Sequence, residues 1–229
     1  MHVLPKKVLV IVAHQDDETI GCSGFIKKLT DQGSLVDVVF VTSGNTGVDH
    51  SGEYNADNIV DVRNDEASRA REILGWRQTY NLGVKTQCVA NTQRLFHRVI
   101  QIIRDNKPDL VITHADVDKH RDHRAISGIV REACWKAQEQ IHPELGKVHK
   151  INDLWAMEIL DLLPRVDYII DITKTYESKV EALSVYNSQL DIISGIFNHV
   201  DGMAKVRGHA IGKKYGEAFM RINLLPVEL

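Results

Sequence analysis

Six consecutive apolar residues near the start of the chain, Val8-Leu9-Val10-Ile11-Val12-Ala13, run directly into His14-Gln15-Asp16-Asp17-Glu18. A β-branched run without polar alternation fits a strand buried on both faces, as in a parallel sheet with helices on each side. A second run, Asp109 to Thr113 (DLVIT), opens in the same way into His114-Ala115-Asp116-Val117-Asp118-Lys119-His120-Arg121-Asp122-His123. Open α/β sheets bind ligands beyond the carboxyl ends of their strands. Both polar clusters therefore fall on the edge where such folds do chemistry.

The remaining pattern alternates strands with helices. Helical spacing is expected over Gly21–Gln32, Ile59–Leu74, Thr92–Asp105, His123–Gln140, Thr175–Gln189 and Asp191–Gly208. Further strands are expected at Leu35–Thr42, Leu154–Leu160 and Tyr168–Ile172, with Glu217–Asn223 a last strand or an extended tail. Ser43–Asn58, rich in Gly, Ser, Asn and Asp, is longer than a plain connection requires and is expected to line or cover something. These units predict a Rossmann-like α/β fold in a single domain over residues 1–229, its sheet mostly parallel and its helices on both faces.

Composition excludes several classes. Lys plus Arg number 28 against 31 Asp plus Glu, and a net charge of −3 does not suit a protein that grips nucleic-acid backbones. No apolar run approaches the roughly 20 residues of a membrane span, and no secretory signal opens the chain. Cys22, Cys88 and Cys134 are odd in number and widely spaced, which reads as reduced thiols in a cytoplasmic protein. Trp76, Trp135 and Trp155 could stack on a sugar, but core packing is their commoner use.

Imidazoles and carboxylates together suit Zn²⁺, which takes three protein ligands in catalytic sites. His14 and Asp17 stand three residues apart, and so do His120 and His123. A lone histidine after a strand is commonly a surface or capping residue, and acids at a helix start complement its dipole. The repetition of one spacing at two strand ends is what favours a metal site over those readings.

Ala13 to Glu18 (AHQDDE) with Asp118 to His123 (DKHRDH) resembles the PIG-L/LmbE-like family of zinc-dependent N-acetylglucosaminyl deacetylases. Arg63-Asn64-Asp65-Glu66-Ala67, Lys179 to Gln189, and Arg207-Gly208 through Glu217-Ala218-Phe219 extend the likeness over nearly the whole chain. Gln15 and Ala115 stand where the family commonly has proline, and Asn45 where related sequences often carry glutamate. The resemblance implies one zinc ion held by His14, Asp17 and His123, with Asp16 as general base and His120 stabilising the oxyanion or protonating the leaving amine. It implies Arg63 at the substrate, a small amino-sugar substrate, and a homo-oligomer; Tyr215 is a further candidate at the substrate, and Asp118 and Asp122 are candidates for orienting His120 or His14.

One reading from another class competes. A receiver-like signalling module also places paired acids after its first strand, where they bind Mg²⁺, but it has no use for His14, His120 and His123. A dinucleotide-binding module is weaker still, because no GxGxxG follows the first strand.

Overall fold

The computed structural model describes residues 4–46, 58–190, 192 and 194–223. Strands β1 (Lys7–Val12), β2 (Leu35–Thr42), β3 (Gln78–Val84), β4 (Leu110–His114), β5 (Asp153–Met157), β6 (Tyr168–Asp171) and β7 (Gly216–Arg221) form one sheet in the order β3-β2-β1-β4-β5-β7-β6. β3, β2, β1, β4 and β5 pair in parallel, and only β7 runs against its neighbours, between β5 and β6. The helices are α1 (Asp17–Asp31), α2 (Ile59–Leu74), α3 (Gln93–Asn106), α4 (Arg121–Lys136), α5 (Tyr176–Ser184), α6 (Asn187–Leu190) and α7 (Ile196–Ala210).

β1 shows why its sequence lacks polar alternation. Val8, Val10 and Val12 pack with Phe25, Leu29, Leu74 and Trp76 on one face, while Leu9 and Ile11 pack with Val99, Ile103, Val130 and Ala133 on the other. Successive side chains of a strand point to opposite faces, and both faces here are covered. Chain order reverses between β1 and β4, since β1 leads outward to β2 while β4 starts the other half. That switch point is where the carboxyl ends leave a crevice.

Several boundaries differ from the sequence expectation. β3 was not anticipated: Gln78-Thr79-Tyr80-Asn81-Leu82-Gly83-Val84 is a half-exposed edge strand, and its Asn and Gly mask strand character. The Glu217 segment is no tail but the antiparallel strand β7. The stretch Thr175–Gln189 divides into α5 and α6, and the last helix starts at Ile196 rather than Asp191. Residues 47–57, the bulk of the expected Ser43–Asn58 loop, lie outside the described residues. Trp76 is buried and Trp155 packs among Phe25, Tyr168 and Phe219, whereas Trp135 is exposed beneath the Lys136 ammonium. The three cysteines are free, with Cys22 and Cys134 buried and Cys88 exposed.

Helix α1 begins at Asp17, a turn before the expected Gly21, and is broken at Cys22 (φ −149°, ψ 15°). A break frees backbone groups that must be satisfied when buried. The Lys179 ammonium donates to the carbonyls of Thr19 (2.9 Å) and Ile20 (2.7 Å). The Glu217 carboxylate accepts from the N–H groups of Gly24 (2.9 Å) and Phe25 (2.7 Å). Lys179 and Glu217 also pair with each other at 2.7 Å, both buried. One ion pair from α5 and β7 thus splints the broken helix that leads into the His14–Glu18 cluster. Removing one partner of such a pair leaves an uncompensated buried charge. Lys179→Met is therefore expected to lower unfolding free energy by about 3–5 kcal/mol in chemical denaturation; a loss below about 1 kcal/mol would show that the pair is dispensable.

Candidate metal centre

Every residue that the two motifs put forward arrives at the carboxyl ends of β1 and β4. His14 follows β1, Asp17 opens α1, His120 caps the N-terminus of α4, and His123 lies in its first turn. His14, Asp17, Asp122 and His123 are all buried. Their spacing brings the side chains together because each short motif turns from a strand end directly into a helix.

Hydrogen bonding decides which lone pairs remain available. His123 Nδ1 lies 3.0 Å from the Asp118 carboxylate, and His14 Nε2 lies 3.3 Å from that of Asp122. With one proton directed at that carboxylate, each ring would offer its other nitrogen as a lone pair once a metal displaced the proton that Asp17 favours there. The nitrogens left over, His14 Nδ1 and His123 Nε2, face each other at 3.3 Å. Asp17 completes the triangle, with Oδ2 3.3 Å from His14 Nδ1 and Oδ1 3.2 Å from His123 Nε2. For metal–ligand bonds of 2.0–2.2 Å, the edge of a coordination tetrahedron is roughly 3.3 Å. The His14–His123 separation matches that edge, while the two Asp17 distances are to different oxygens of one carboxylate. Single donor atoms also gather as His14, His120 and His123 and as Asp17, His114 and His123, a chemistry that fits zinc.

His114 and His120 also lie close, but their nitrogens are differently engaged. His114 is wholly buried, stacks on His123 (4.0 Å between centroids, 8° between planes), and accepts from the Ala13 N–H through Nε2 at 2.8 Å. That contact occupies the lone pair it would need to ligate a metal beside Asp17, whose Oδ2 lies 3.4 Å away. His120 accepts from the Asp122 N–H through Nδ1 at 3.2 Å, so its neutral ring carries a proton on Nε2. It is a donor in this setting and does not complete the ligand triangle.

The electrostatics follow the same division. Burial disfavours charge on His123, yet Asp17 and Asp118 outweigh it and push its pKa up to about 10 in the protein alone. Burial would lift Asp17, but His123, His114 and His14 hold it well below the ordinary carboxylate range. Asp16 behaves oppositely: burial raises it to about 7, against the opposing pull of Arg63. Burial also raises Glu18. Two adjacent aspartates thus differ, one held anionic beside imidazoles and the other poised near neutrality.

Asp16 has φ 129° and ψ −29°, a conformation L residues rarely adopt, of the kind that costs about 1–3 kcal/mol and gathers at functional sites. The turn re-aims its carboxylate away from that of Asp17 and toward Arg63, whose Nη2 lies 3.4 Å from Asp16 Oδ2. Arg63 is buried and also donates to the Gln15 carbonyl. Asp118 accepts from the His120 N–H at 2.8 Å, and Asp122 from the Gln87 N–H at 2.6 Å. Asp122 thus faces His14, whereas Asp118 faces His123 and not the His120 or His14 ring put forward for it.

Tyr215 is not brought to this cluster. Its ring stacks on Tyr176 with centroids 3.5 Å apart, beside Lys214 and among Ile172 and Ala204. It precedes β7, which lies beyond β5 from the β1–β4 crevice, and sequence spacing gave no sign of that displacement. His114 was visible in the motif but had no assigned task. The contacts of Glu18 and Gln87 join segments far apart in the chain and were not foreseen. A cleft of about 870 Å³ runs between β3 and α3 and is lined by Tyr80, Leu82, Arg94, Arg98 and their neighbours. None of the cluster residues lines it.

Comparison with known proteins agrees with this geometry. Residues 9–134, which hold both motifs, match the PIG-L family described as GlcNAc-PI de-N-acetylase. The chain belongs to this family. A diacetylchitobiose deacetylase of Thermococcus kodakarensis is 28% identical over 221 residues, covering 93% of this chain and 81% of the relative. The structure of the N,N'-diacetylchitobiose deacetylase of Pyrococcus horikoshii bound to an inhibitor superposes with a TM-score of 0.86 at 26% identity, covering 95% of this chain and 84% of that one. A 4-oxalmesaconate hydratase of Pseudomonas putida is 27% identical over 198 residues, covering 82% of this chain and 76% of the relative. The PIG-L fold leaves the receiver-like alternative without support. Among the described residues, no helix is long and apolar enough to cross a membrane.

Proposed function

We propose that this PIG-L protein is a zinc-dependent amidohydrolase that removes the acetyl group from an N-acetylglucosamine-type sugar or conjugate, releasing acetate and a free amine. The observation that carries the reading is the convergence of the His14, Asp17 and His123 lone pairs beside two groups with opposite proton roles, Asp16 and His120.

His14, Asp17 and His123 would hold the metal. Zinc bound there supplies Lewis acidity, which polarises an amide carbonyl and makes water more acidic. Asp16, near neutrality and free of the ligand triangle, accepts the proton of the attacking water. His120 directs its Nε2 proton at the carbonyl oxygen as negative charge develops, and the proton that Asp16 takes from the water passes on to the departing nitrogen. Asp118 and Asp122 fix ring orientation, so the histidines do not have to reorganise during the reaction. Arg63 steadies the Asp16 carboxylate from the α2 side.

The sugar identity rests on the deacetylase relatives, and the hydratase relative supports a second reading, addition of water to a carbon–carbon double bond. A panel of N-acetylglucosamine conjugates and unsaturated dicarboxylic acids, with the zinc-loaded protein, separates the two. Acetate release from at least one N-acetyl sugar is expected. Turnover confined to the unsaturated acids would overturn the deacetylase reading.

A further inference from the structure

The conformation of Asp16 needs a support, and one is present that neither metal binding nor substrate contact uses. The Glu18 side chain is wholly buried, and its Oε2 accepts from the Asp16 N–H at 3.2 Å. Its Oε1 accepts from the Thr19 hydroxyl at 2.6 Å and from the Tyr186 hydroxyl at 2.6 Å. Tyr186 is also wholly buried and lies between α5 and α6, 168 residues along the chain from Glu18. Two residues further on, Ser188 donates to Glu66 of α2 through its N–H (2.8 Å) and its hydroxyl (2.7 Å). α2 also carries Arg63, the group that meets the Asp16 carboxylate.

Asp16 is thus held at two points, the peptide N–H by Glu18 and the carboxylate by Arg63. Both holders are tied to the α2–α6 side of the molecule and not to the metal ligands. We propose that Glu18 and Tyr186 are positioning residues that keep Asp16 in its left-handed backbone conformation and so aim its carboxylate at the reacting water. The inference rests on Asp16 acting as the base. A hydroxyl–carboxylate–peptide chain of this kind changes where a catalytic group points without touching the substrate, and small misplacements of such groups have large kinetic effects.

The test is a double-mutant cycle on the zinc-loaded protein. Tyr186→Phe keeps the ring packing and removes only the hydroxyl. Glu18→Gln keeps the shape and weakens acceptance of the three donors. Each variant is expected to lower kcat about tenfold with KM, zinc content and circular dichroism unchanged. In an Asp16→Asn background, Tyr186→Phe is expected to change kcat by less than about twofold, because nothing remains to be aimed.

Wild-type kcat in both single variants would overturn the proposal. So would zinc loss parallel to activity loss, which would place the support under Asp17 instead. An undiminished Tyr186→Phe effect in the Asp16→Asn background would mark a general packing role and overturn it as well. Asp16→Asn with wild-type kcat would instead remove the base assignment itself, a failure distinct from the other three.

Discussion

His123→Ala should lose zinc and turnover together, whereas His120→Ala should keep zinc and lose turnover alone. The two imidazoles lie three residues apart, with ring centroids 4.7 Å apart, so spacing alone gives no reason for them to differ. Their hydrogen bonds do. Asp118 faces His123 Nδ1 at 3.0 Å, and the ring's Nε2 is turned toward Asp17 and His14, where a metal would replace the proton. The Asp122 N–H occupies His120 Nδ1 and leaves a proton on Nε2. A ring that must donate to a developing oxyanion contributes about 2–4 kcal/mol of transition-state stabilisation, roughly 30- to 900-fold in kcat. Zinc stoichiometry and kcat measured side by side decide the matter. Retained metal in His123→Ala with lost metal in His120→Ala would reverse the two roles. His14→Ala and Asp17→Ala should follow His123→Ala, with the α/β fold intact because the buried strands do not depend on the ion.

Asp16→Asn should keep its zinc and lose roughly 10²–10⁴ in kcat. The amide preserves size and can still meet Arg63, but it cannot take a proton from water. Because Asp16 lies outside the ligand triangle, metal content separates this variant from Asp17→Asn, in which a ligand charge is removed. Wild-type turnover in Asp16→Asn would make that residue a helix-start acid and no base.

Much of this site was legible because its parts are local. A buried strand followed by two ligand-type side chains three residues apart points to both the place and a metal chemistry, and the pattern occurs twice, as His14 with Asp17 and as His120 with His123. Distinguishing His120 from His123 required knowing which carboxylate each ring faces, which is set by the turn from β4 into α4. The setting of Tyr215 was not legible for the opposite reason: its stacking on Tyr176 depends on β7 being inserted between β5 and β6, a long-range pairing without a periodic signal. β3 was hidden because an edge strand can be half polar. The Glu18–Tyr186 contact joins residues whose separation no local pattern encodes.

The splint across the break in α1 carries a consequence for how the molecule matures. All three zinc-binding candidates lie within the first 123 residues, yet the break in the helix that Asp17 opens is bridged by Lys179 and Glu217, which come from much later in the chain. A chain emerging from the N-terminus outward would hold every ligand long before it held the geometry. Contacts of such separation form late, after loop closure has been overcome. The order of events would then run from sheet, to β7, to metal: refolding with zinc present should show strand and helix signals recovering before high-affinity uptake.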